Sequence, residues 1–404
     1  MKILFLNHNL IWRGTFFRCF GFARELAKRG HSVDLWTVAR EPKWKGDRTL
    51  IDGVRVWQTP RWGSPGKHDG GYAFLDNLSR LAGSIAGGWD CIHAFEHRPN
   101  VLLPWLQLRF RDRRLCRNAK SLFLADWSDW WAGGGIISSR RRFPILDRME
   151  QQVEEWSKTR ADGITVISSV LYQRAKDLGI DEKRLLLLPS GVSTDSFPAL
   201  NREDCRRRLN LPLDRPLLGF IGFSLWDMNL LAEAFQRIQE KAPEAALLVI
   251  GGGVEEQAID VFRRRFTLGR DILLPGVVAF SEVPYYLGAC DIQLLPMENT
   301  LANRARLPNK LFDYYASGRP IVVTDLGDTG RWIREHQTGL AVETGAEAFA
   351  EACLHWLENA AAARACGERA RRLAETEYSY AVQSERLLLF YDRISQDLDW
   401  ENQA

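Results

Sequence analysis

Short apolar runs alternate with longer amphipathic segments from the first residues of the chain onward. Lys2–Leu6 is largely apolar, Thr15–Arg29 carries apolar residues at helical spacing, and Val33–Trp36 is mostly apolar again. This order of strand, helix and strand is complete within the first 37 residues, which is the size of one βαβ unit. Because βαβ units build parallel sheets with right-handed crossovers, the pattern predicts a doubly wound α/β domain.

A second series of the same kind follows a break near residue 190. Prolines and a glycine in Pro189–Gly191 and in Leu211–Pro216 interrupt the pattern before apolar runs resume. The strand candidates of this second series are Leu217–Ile221, Ala246–Ile250, Ile272–Leu274, Ile292–Leu295 and Pro320–Thr324. The sequence therefore predicts an α/β protein with two Rossmann-like, doubly wound domains that face a central cleft.

The domain boundaries follow from the same pattern. We predict an N-terminal domain over residues 1–188, an interdomain linker over 189–216 and a C-terminal domain over 217–378. The remaining residues, 379–404, contain the amphipathic segment Tyr380–Leu398. We expect this segment to form one helix that packs back on the N-terminal domain.

Composition excludes several classes of protein. Lys plus Arg number 54 against 51 Asp plus Glu, and this balance excludes a dedicated nucleic-acid binder. The seven cysteines include no C-x-x-C pair, which argues against a disulfide framework or a cysteine metal site and favours a reducing compartment. No apolar run approaches the ~20 residues of a membrane span, and the N-terminal run is too short for a signal peptide. We expect a cytoplasmic protein, with contact at the inner face of the cell membrane as a further option.

Polar side chains cluster at the end of the strand candidate Cys91–Phe95. His93, Glu96 and His97 lie within five residues of one another. In parallel sheets ligands bind beyond the carboxyl ends of the strands, so these residues are candidates for ligand binding (His93, Glu96) and catalysis (His97). A structural role in the core is an equally good interpretation of this cluster.

A second cluster follows the strand candidate Ser121–Ala125. Asp126 and Asp129 are candidates for catalysis by contact with a ligand, and the alternative is that they cap the loop. Trp127 and Trp130 belong to a tight aromatic group whose indole faces could stack on a ligand ring, meet a membrane interface or pack in the core.

Four segments, in this order and spacing, resemble the retaining nucleotide-sugar glycosyltransferases of family 4, which have the GT-B fold. The segments are Leu26–Val33, Ala161–Ser168 with Leu187–Ser193, Val283–Asp291, and Pro308–Pro320. The resemblance covers nearly the whole chain. It implies transfer of a hexose-type sugar, with retention, from a nucleoside-diphosphate donor bound by the C-terminal domain to a carbohydrate or lipid-linked acceptor bound by the N-terminal domain. It implies neither a metal ion nor a cofactor besides the donor. The alternatives are a catalytically silent nucleotide-sugar binding protein and an epimerase or phosphorylase of the same fold.

The same resemblance assigns the donor site. In the similar enzymes an acid on the helix of Pro308–Pro320 holds the ribose hydroxyls, and here that acid is Asp313. A carboxylate can accept hydrogen bonds from both hydroxyls of a diol. Lys310, on the same helical face, is expected near the diphosphate, although a solvated surface lysine is the alternative. Asn309 belongs to the same motif.

Three further donor-binding candidates are Gly14, Arg18 and Ser224. Gly14 precedes the first helix, where backbone amides favour a phosphate, although an ordinary turn glycine is an equally good interpretation. Arg18 lies one turn further along, and Ser224 follows the first strand of the second domain. Gly251–Gly253 is another glycine turn after a strand, and we interpret it as a loop facing the cleft.

The chain departs from the family pattern in four places. One is Asp313, which is shorter than the usual glutamate. Ala305 stands where a second glutamate is usual, and Glu298, Asn303 and Arg304 are its possible replacements. The run Gly219–Asn229 lacks the arginine and lysine that commonly bind the diphosphate, and Ser128-Asp129 replaces a His-Asp pair.

The resemblance still implies that Asp126 or Asp129 contacts a sugar hydroxyl. It makes His93, Glu96, Trp127 and Trp130 the candidates for binding the acceptor sugar.

A basic stretch predicts a surface that meets anionic lipid. Arginines 109, 111, 113, 114 and 117 adjoin the apolar run Val101–Phe110, a combination that suits a membrane interface. A solvated basic helix is the equally weighted alternative.

Overall fold

The chain folds into two α/β units in the computed structural model, which describes residues 1–62, 70–114, 121–138, 143–222, 225–251 and 256–403. One unit comprises Met1–Gly191 with Tyr380–Ala404, and the other Val192–Ser379. Each unit has a predominantly parallel sheet. The predicted fold class of two Rossmann-like domains is confirmed.

The first unit is built on an eight-stranded sheet with the order β3-β4-β2-β1-β5-β6-β7-β8. Its strands are β1 (Lys2–Leu10), β2 (Ser32–Val38), β3 (Asp47–Ile51), β4 (Val54–Thr59), β5 (Cys91–Phe95), β6 (Leu122–Trp127), β7 (Gly163–Val166) and β8 (Leu185–Leu187). Its first helices are α1 (Thr15–Lys28), α2 (Phe74–Ala86), α3 (Pro99–Arg114), α4 (Pro144–Thr159) and α5 (Ser169–Asp177). The described strand pairs are parallel except for β3 with β4, a hairpin whose turn residues Asp52 and Gly53 both have positive φ.

The second unit has a six-stranded parallel sheet with the order β11-β10-β9-β12-β13-β14. Its helices are α6 (Arg202–Leu209), α7 (Leu225–Lys241), α8 (Glu256–Arg263), α9 (Val283–Ala289), α10 (Leu301–Ala305), α11 (Lys310–Ser317), α12 (Gly327–His336), α13 (Ala346–Glu358) and α14 (Ala360–Thr376). Its strands are β9 (Leu217–Ile221), β10 (Ala246–Ile250), β11 (Ile272–Gly276), β12 (Ile292–Leu295), β13 (Ile321–Thr324) and β14 (Gly339–Val342). The strand β9 lies between β10 and β12, so its carboxyl end is in the middle of the sheet edge at which ligands of parallel sheets bind.

Most of the predicted linker 189–216 is a folded part of the second unit, which corrects the prediction. The segment contains α6, whose N-terminus is capped by the side chain of Asn201. Arg206 on this helix is buried and donates hydrogen bonds to the backbone oxygen of Ala289 and to Asp291, at 2.9 and 2.7 Å. The polar composition was misleading because the buried arginine has its partners within the fold.

The last helix, α15 (Tyr380–Gln403), belongs to the first unit although the second unit precedes it in the chain. Tyr380, Leu387, Phe390 and Ile394 are buried in the same core as β1 and α1. The Tyr380 ring fills the space where a side chain at Gly21 of α1 would lie, which explains the glycine at this close approach.

Candidate functional site

In the second unit, α11 presents a carboxylate without a protein partner. Asp313 is half-buried in the first turn of this helix, and within the described residues its side chain makes no hydrogen bond or ion pair. Burial raises the pKa of Asp313 to about 7. A carboxylate with free oxygens suits a ligand that brings two hydroxyl donors.

Lys310 lies beside the carboxyl end of the central strand β9. Its Nζ is 4.2 Å from the centroid of the Phe220 ring, and a Cβ added at Gly222 would lie 3.0 Å from the same Nζ. Gly222 has a φ of 114°, which favours glycine. The ammonium group is therefore packed against the glycine turn that follows the strand, where ligands of parallel sheets bind. Asn309 is the half-buried N-cap residue of the same helix.

Tyr314 fixes α11 to the sheet, a role that the sequence analysis missed. Its hydroxyl accepts a hydrogen bond from the backbone N–H of Ile221 and donates one to the backbone oxygen of Leu294, both at 3.0 Å. One side chain thus ties the helix to the ends of β9 and β12. The only signal in the sequence is an aromatic residue next to Asp313 in the Pro308–Pro320 motif.

Of the three possible replacements for the usual second glutamate, Glu298 has the freest side chain. Ala305 itself is buried. The Asn303 side chain donates to the backbone oxygen of Glu298 at 2.7 Å, and Arg304 donates to the Asn299 side chain at 2.7 Å. The half-buried Glu298 carboxylate makes no hydrogen bond or ion pair in the part of the chain that is described.

In the first unit, Arg18 and Asp126 form a buried ion pair, contrary to the donor-binding and catalytic roles predicted for them. The Arg18 guanidinium donates to Asp126 at 2.7 and 3.1 Å, and also to Ser190 and to the backbone oxygen of Leu188. Thr165 donates to the Asp126 carboxylate as well, at 2.6 Å, to the Oδ2 atom that also accepts from Arg18. Burial acts to raise the pKa of Asp126, but Arg18 outweighs it and holds that pKa below its usual value. Both side chains are fully engaged with protein groups.

His93 is likewise a core residue and not an acceptor-binding one. Its Nδ1 lies 2.8 Å from the Tyr391 hydroxyl and its Nε2 lies 3.1 Å from the Thr165 hydroxyl. Burial lowers the pKa of His93 to about 3, so the ring is neutral at physiological pH.

Trp127 is also buried, which corrects its predicted contact with a sugar. Its Nε1 donates to Glu154 at 2.8 Å, and the Arg174 guanidinium carbon lies 4.6 Å from its ring centroid. The same guanidinium carbon lies 4.0 Å from the ring of Trp130, which is half-buried. Trp130 therefore retains an accessible edge that Trp127 lacks.

Glu96 organises the loops at the carboxyl ends of β5 and β6. It has a φ of 77°, a conformation that residues other than glycine rarely adopt. Its carboxylate accepts hydrogen bonds from Ser128 and, at 2.7 Å, from Trp131 Nε1. Burial raises the pKa of Glu96 to about 8. Asp129 remains half-buried near this carboxylate and contributes to the raised pKa.

His97 continues the same loop but is buried. Its Nε2 lies 3.5 Å from Oε1 of Glu150, and burial lowers the pKa of the ring. Arg98 pairs with the same Glu150 and lies over the rings of Tyr72 and Trp131. Glu96 and His97 are thus buried contacts of these loops. Of the predicted site residues in this region, Asp129 and Trp130 are the better exposed.

Gly14 is exposed at the N-terminus of α1, with a φ of 49°. A Cβ at this position would lie 2.4 Å from the Asn9 side chain, so both conformation and space require glycine. The predicted donor-binding Ser224 lies outside the described residues, as do Gly252 and Gly253 of the second glycine turn.

The apolar run Val101–Phe110, predicted to meet lipid, is divided between core and surface, with Leu103 and Phe110 exposed. Val101, Trp105 and Leu108 are buried on α3. Arg109 pairs with Asp162 at 2.8 Å, and the side chains of residues 113, 114 and 117 lie outside the described part of the chain.

Two family models match the chain. "Glycosyl transferase 4-like domain" matches residues 18–191, and "Glycosyl transferases group 1" matches residues 215–359. The chain belongs to the glycosyltransferases of family 4. Both halves of the family pattern are thus present, one in each unit of this family 4 chain.

Curated relatives of this family 4 chain carry glycosyltransferase names. It is 28% identical to the teichuronic acid biosynthesis glycosyltransferase TuaH of Bacillus subtilis, over 51% of each chain. It is 26% identical to the D-inositol 3-phosphate glycosyltransferase of Stackebrandtia nassauensis, over 79% of this chain and 73% of that one. The match to TuaH thus spans about half the length of that relative.

Solved structures show the fold. Sucrose-phosphate synthase from Thermosynechococcus elongatus gives a TM-score of 0.76 at 17% identity, over 97% of this chain and 98% of that chain. HepE of Anabaena, solved with UDP and glucose, gives 0.68 at 14% identity, over 97% and 99%. The family 4 chain therefore has the GT-B fold.

Proposed function

We propose that this protein transfers a hexose-type sugar from a nucleoside-diphosphate donor to a carbohydrate or lipid-linked acceptor, with retention at the anomeric carbon. The observation that carries the proposal is the free carboxylate of Asp313 one helical turn from the Lys310 ammonium group, beside the end of β9. The first would hold the ribose hydroxyls and the second the diphosphate. HepE, which shares the fold, was solved with UDP-glucose.

In the proposed reaction the bond between the anomeric carbon and the diphosphate oxygen breaks. The bond to the acceptor hydroxyl forms on the same face of the sugar, and the hydroxyl proton passes to the departing diphosphate. Negative charge grows on the diphosphate as the sugar leaves, and Lys310 stabilises it there. No resident cofactor enters this scheme, since the donor itself supplies the activated sugar.

A silent nucleotide-sugar binding protein is the main competing function. Ala305 in place of the usual glutamate favours it, whereas the free carboxylate of Glu298 nearby favours an active enzyme. An epimerase of the same fold would convert the donor without any acceptor.

A donor panel separates these functions. We expect one nucleotide sugar to raise the melting temperature, because a ligand at 100 times its dissociation constant adds about 2.7 kcal/mol of stability. We also expect slow release of nucleoside diphosphate, with retained configuration in the free sugar or glycoside measured by NMR. Binding without any release or conversion would identify a silent protein, and conversion into another nucleotide sugar an epimerase.

We further propose that the protein contacts the membrane through α4. No helix within the described ranges is long and apolar enough to span a bilayer. The helix α4 nevertheless exposes its apolar face and buries its charged one, the reverse of a surface helix in a soluble protein. The exposed residues are Phe143, Ile145, Leu146, Met149, Val153 and Trp156. The buried ones, Glu154 and Lys158, are bonded to Arg174, Trp127 and the backbone of Asp126.

This apolar face suits the boundary between headgroups and acyl chains, and the exposed Arg148 and Arg160 suit anionic lipid. The proposal therefore places the protein in the cytoplasm, at the inner face of the cell membrane. We place the contact on α4 and not on Val101–Phe110, because Val101, Trp105 and Leu108 of that run are buried.

Flotation with vesicles tests the membrane contact. The protein should float with vesicles that contain anionic lipid, and less so at high salt, because salt screens surface charge. The variant I145S/M149S should float at least tenfold less, since each large apolar side chain contributes about 1.5–3 kcal/mol when buried. Leu389→Ser, on the exposed side of α15, is the matched control and should float like the parent. Equal flotation of I145S/M149S and the parent would contradict the proposal.

A further inference from the structure

Three exposed tryptophans lie at the carboxyl ends of neighbouring strands in the first unit. Trp12 follows β1, Trp44 follows β2 and Trp62 follows β4, and these strands are adjacent in the sheet in the order β4-β2-β1. Their exposed fractions are 39%, 75% and 48%. Large indoles left in water at the edge of a sheet where ligands bind point to a binding surface. We call this surface, with its neighbouring cations, the tryptophan edge.

Trp44 and Trp62 form a pair. Their ring centroids are 4.4 Å apart with an angle of 63° between the planes. Two backbone hydrogen bonds join the loops just before them, from Lys43 N–H to Arg61 oxygen at 2.9 Å and from Arg61 N–H to Lys43 oxygen at 3.0 Å. The loops are thus paired beyond the ends of their strands, and the indoles are held in a fixed position on them.

Trp12 is held in an unusual conformation. Its φ is 60°, which is rare for a bulky residue and persists only where the surroundings enforce it. Its ring packs edge-on against Phe16 and Phe20, with centroids 4.9 and 5.4 Å away. A hydrogen bond of 2.9 Å from Ile11 N–H to the Val38 oxygen fixes the loop to the end of β2. The exposed indole is therefore part of an ordered loop.

Basic side chains accompany these rings. Arg40 and Lys45 are exposed on the loop after β2 and make no ion pair within the described residues. Arg13 follows Trp12, and Leu10 and Val38 pair at the ends of β1 and β2, which brings Arg13 and Arg40 to the same corner. Partial burial lowers the pKa of Arg13, and the charge of Arg40 lowers it further. The acids nearby are Glu41, which is exposed, and Asp47 at the start of β3, which pairs with Lys43. Arg13, Arg40 and Lys45 therefore outnumber the one remaining acid, and the corner is basic.

From these observations we infer that the tryptophan edge binds an acidic oligosaccharide, the extended part of the acceptor. Indole faces stack on the apolar faces of sugar rings, and Arg40, Lys45 and Arg13 pair with carboxylate or phosphate groups along the glycan. The inference rests on the proposed transferase function and adds its substrate class, a polyanionic acceptor. A membrane is the less favoured occupant, since residues 11–14, 39–46 and 60–62, which carry the three rings, expose no large aliphatic side chain.

Calorimetry without donor tests the inference, with hexagalacturonate as the acidic probe and maltohexaose as the neutral one. We expect the acidic probe to bind at least tenfold more tightly, with an affinity that falls as salt rises. W44A/W62A should weaken binding at least tenfold, and W44Y/W62Y should restore part of it, which a merely structural role would not. R40Q/K45Q should abolish the preference for the acidic probe. Leu389→Ala and Lys183→Gln, at exposed positions elsewhere, should bind like the parent.

Three outcomes overturn the inference. Both probes could bind equally to the parent, W44A/W62A could bind like the parent while remaining folded by circular dichroism, or W44A/W62A could lose flotation with anionic vesicles but keep its oligosaccharide affinity. The last result would assign the tryptophan edge to lipid. Because the probes are titrated without donor, failure of the transferase proposal appears separately, as an absence of nucleotide-sugar turnover with normal probe binding.

Discussion

Replacement of Asp313 by asparagine is expected to weaken binding of the donor nucleotide and, at the same time, to stabilise the free protein. Loss of hydrogen bonds to a charged acceptor costs roughly 1.5–3 kcal/mol, which corresponds to about 10- to 150-fold in affinity. Much of this loss should already appear for the free nucleoside diphosphate, because the ribose contact precedes the reaction. Titration calorimetry with the diphosphate measures it directly.

The gain in stability follows from the raised pKa. Burial raises the native pKa of Asp313 to about 7, whereas an unfolded aspartate titrates near ~3.9. Between these values the native state retains a proton that the unfolded chain has lost, so stability falls as pH rises from about 4 to 7. A shift of three pKa units corresponds to a loss of folding stability of at most about 4 kcal/mol at high pH. Because Asp313 is partly exposed, we expect a loss of about 1–2 kcal/mol.

Urea unfolding at pH 5 and pH 8 measures this effect. Asp313→Asn should have a larger free energy of unfolding than the parent at pH 8, and the difference should be smaller at pH 5. Glu351→Gln, which replaces an exposed carboxylate on α13, should have the same free energy of unfolding as the parent at both pH values. Nucleotide binding should release a proton near neutral pH, seen as a dependence of the heat on buffer ionisation. If Asp313→Asn binds the diphosphate like the parent, Asp313 is not the ribose ligand.

Asp126→Ala is expected to destabilise the first unit by about 3–5 kcal/mol, because it leaves the Arg18 guanidinium buried without its counter-charge. The double replacement of Arg18 by Met and Asp126 by Leu should recover much of this loss, since well-packed apolar residues often replace a buried ion pair at little cost. Arg207→Ala, which breaks an exposed pair on α6, is the control and should cost less than about 1 kcal/mol.

Turnover per folded molecule decides between a structural and a catalytic Asp126. A structural role predicts that the double variant R18M/D126L keeps most of its activity. Full stability of Asp126→Ala combined with loss of turnover would restore the catalytic interpretation that its place at a strand end suggested.

The buried strands were the most predictable part of the fold. Leu217–Ile221 and Ala246–Ile250 agree with the structure residue by residue, because a central parallel strand is apolar on both faces and is bounded by turn residues. The hairpin of β3 and β4 was missed because β3 is an exposed edge strand without apolar alternation. Its Asp52-Gly53 turn was the available signal.

The candidate site was only partly predictable for a different reason. The rule of strand ends predicted that Asp126 and Asp129 lie at the carboxyl edge of the first sheet, but it could not distinguish the buried Asp126 from the half-buried Asp129. Asp126 is neutralised by Arg18, which is 108 residues away in sequence, and such a partner is known only once the chain has folded. On α11 the helical spacing was enough to predict that Asp313 and Lys310 lie on one face, since they are neighbours in sequence, and their role in donor binding stays a prediction.

The position of α15 also affects how the chain is completed during synthesis. The core of the first unit includes Leu387 and Phe390, so a ribosome must translate the whole second unit before that core can close. At about 5–20 residues per second, the second unit takes roughly 10–40 s to emerge. Throughout that interval the binding surface for α15 on the first unit stays uncovered, and the second unit, which is continuous in sequence, can fold first. Slower translation of the second unit lengthens that interval, so the nascent first unit exposes its unfinished core for longer than a domain that is continuous in sequence.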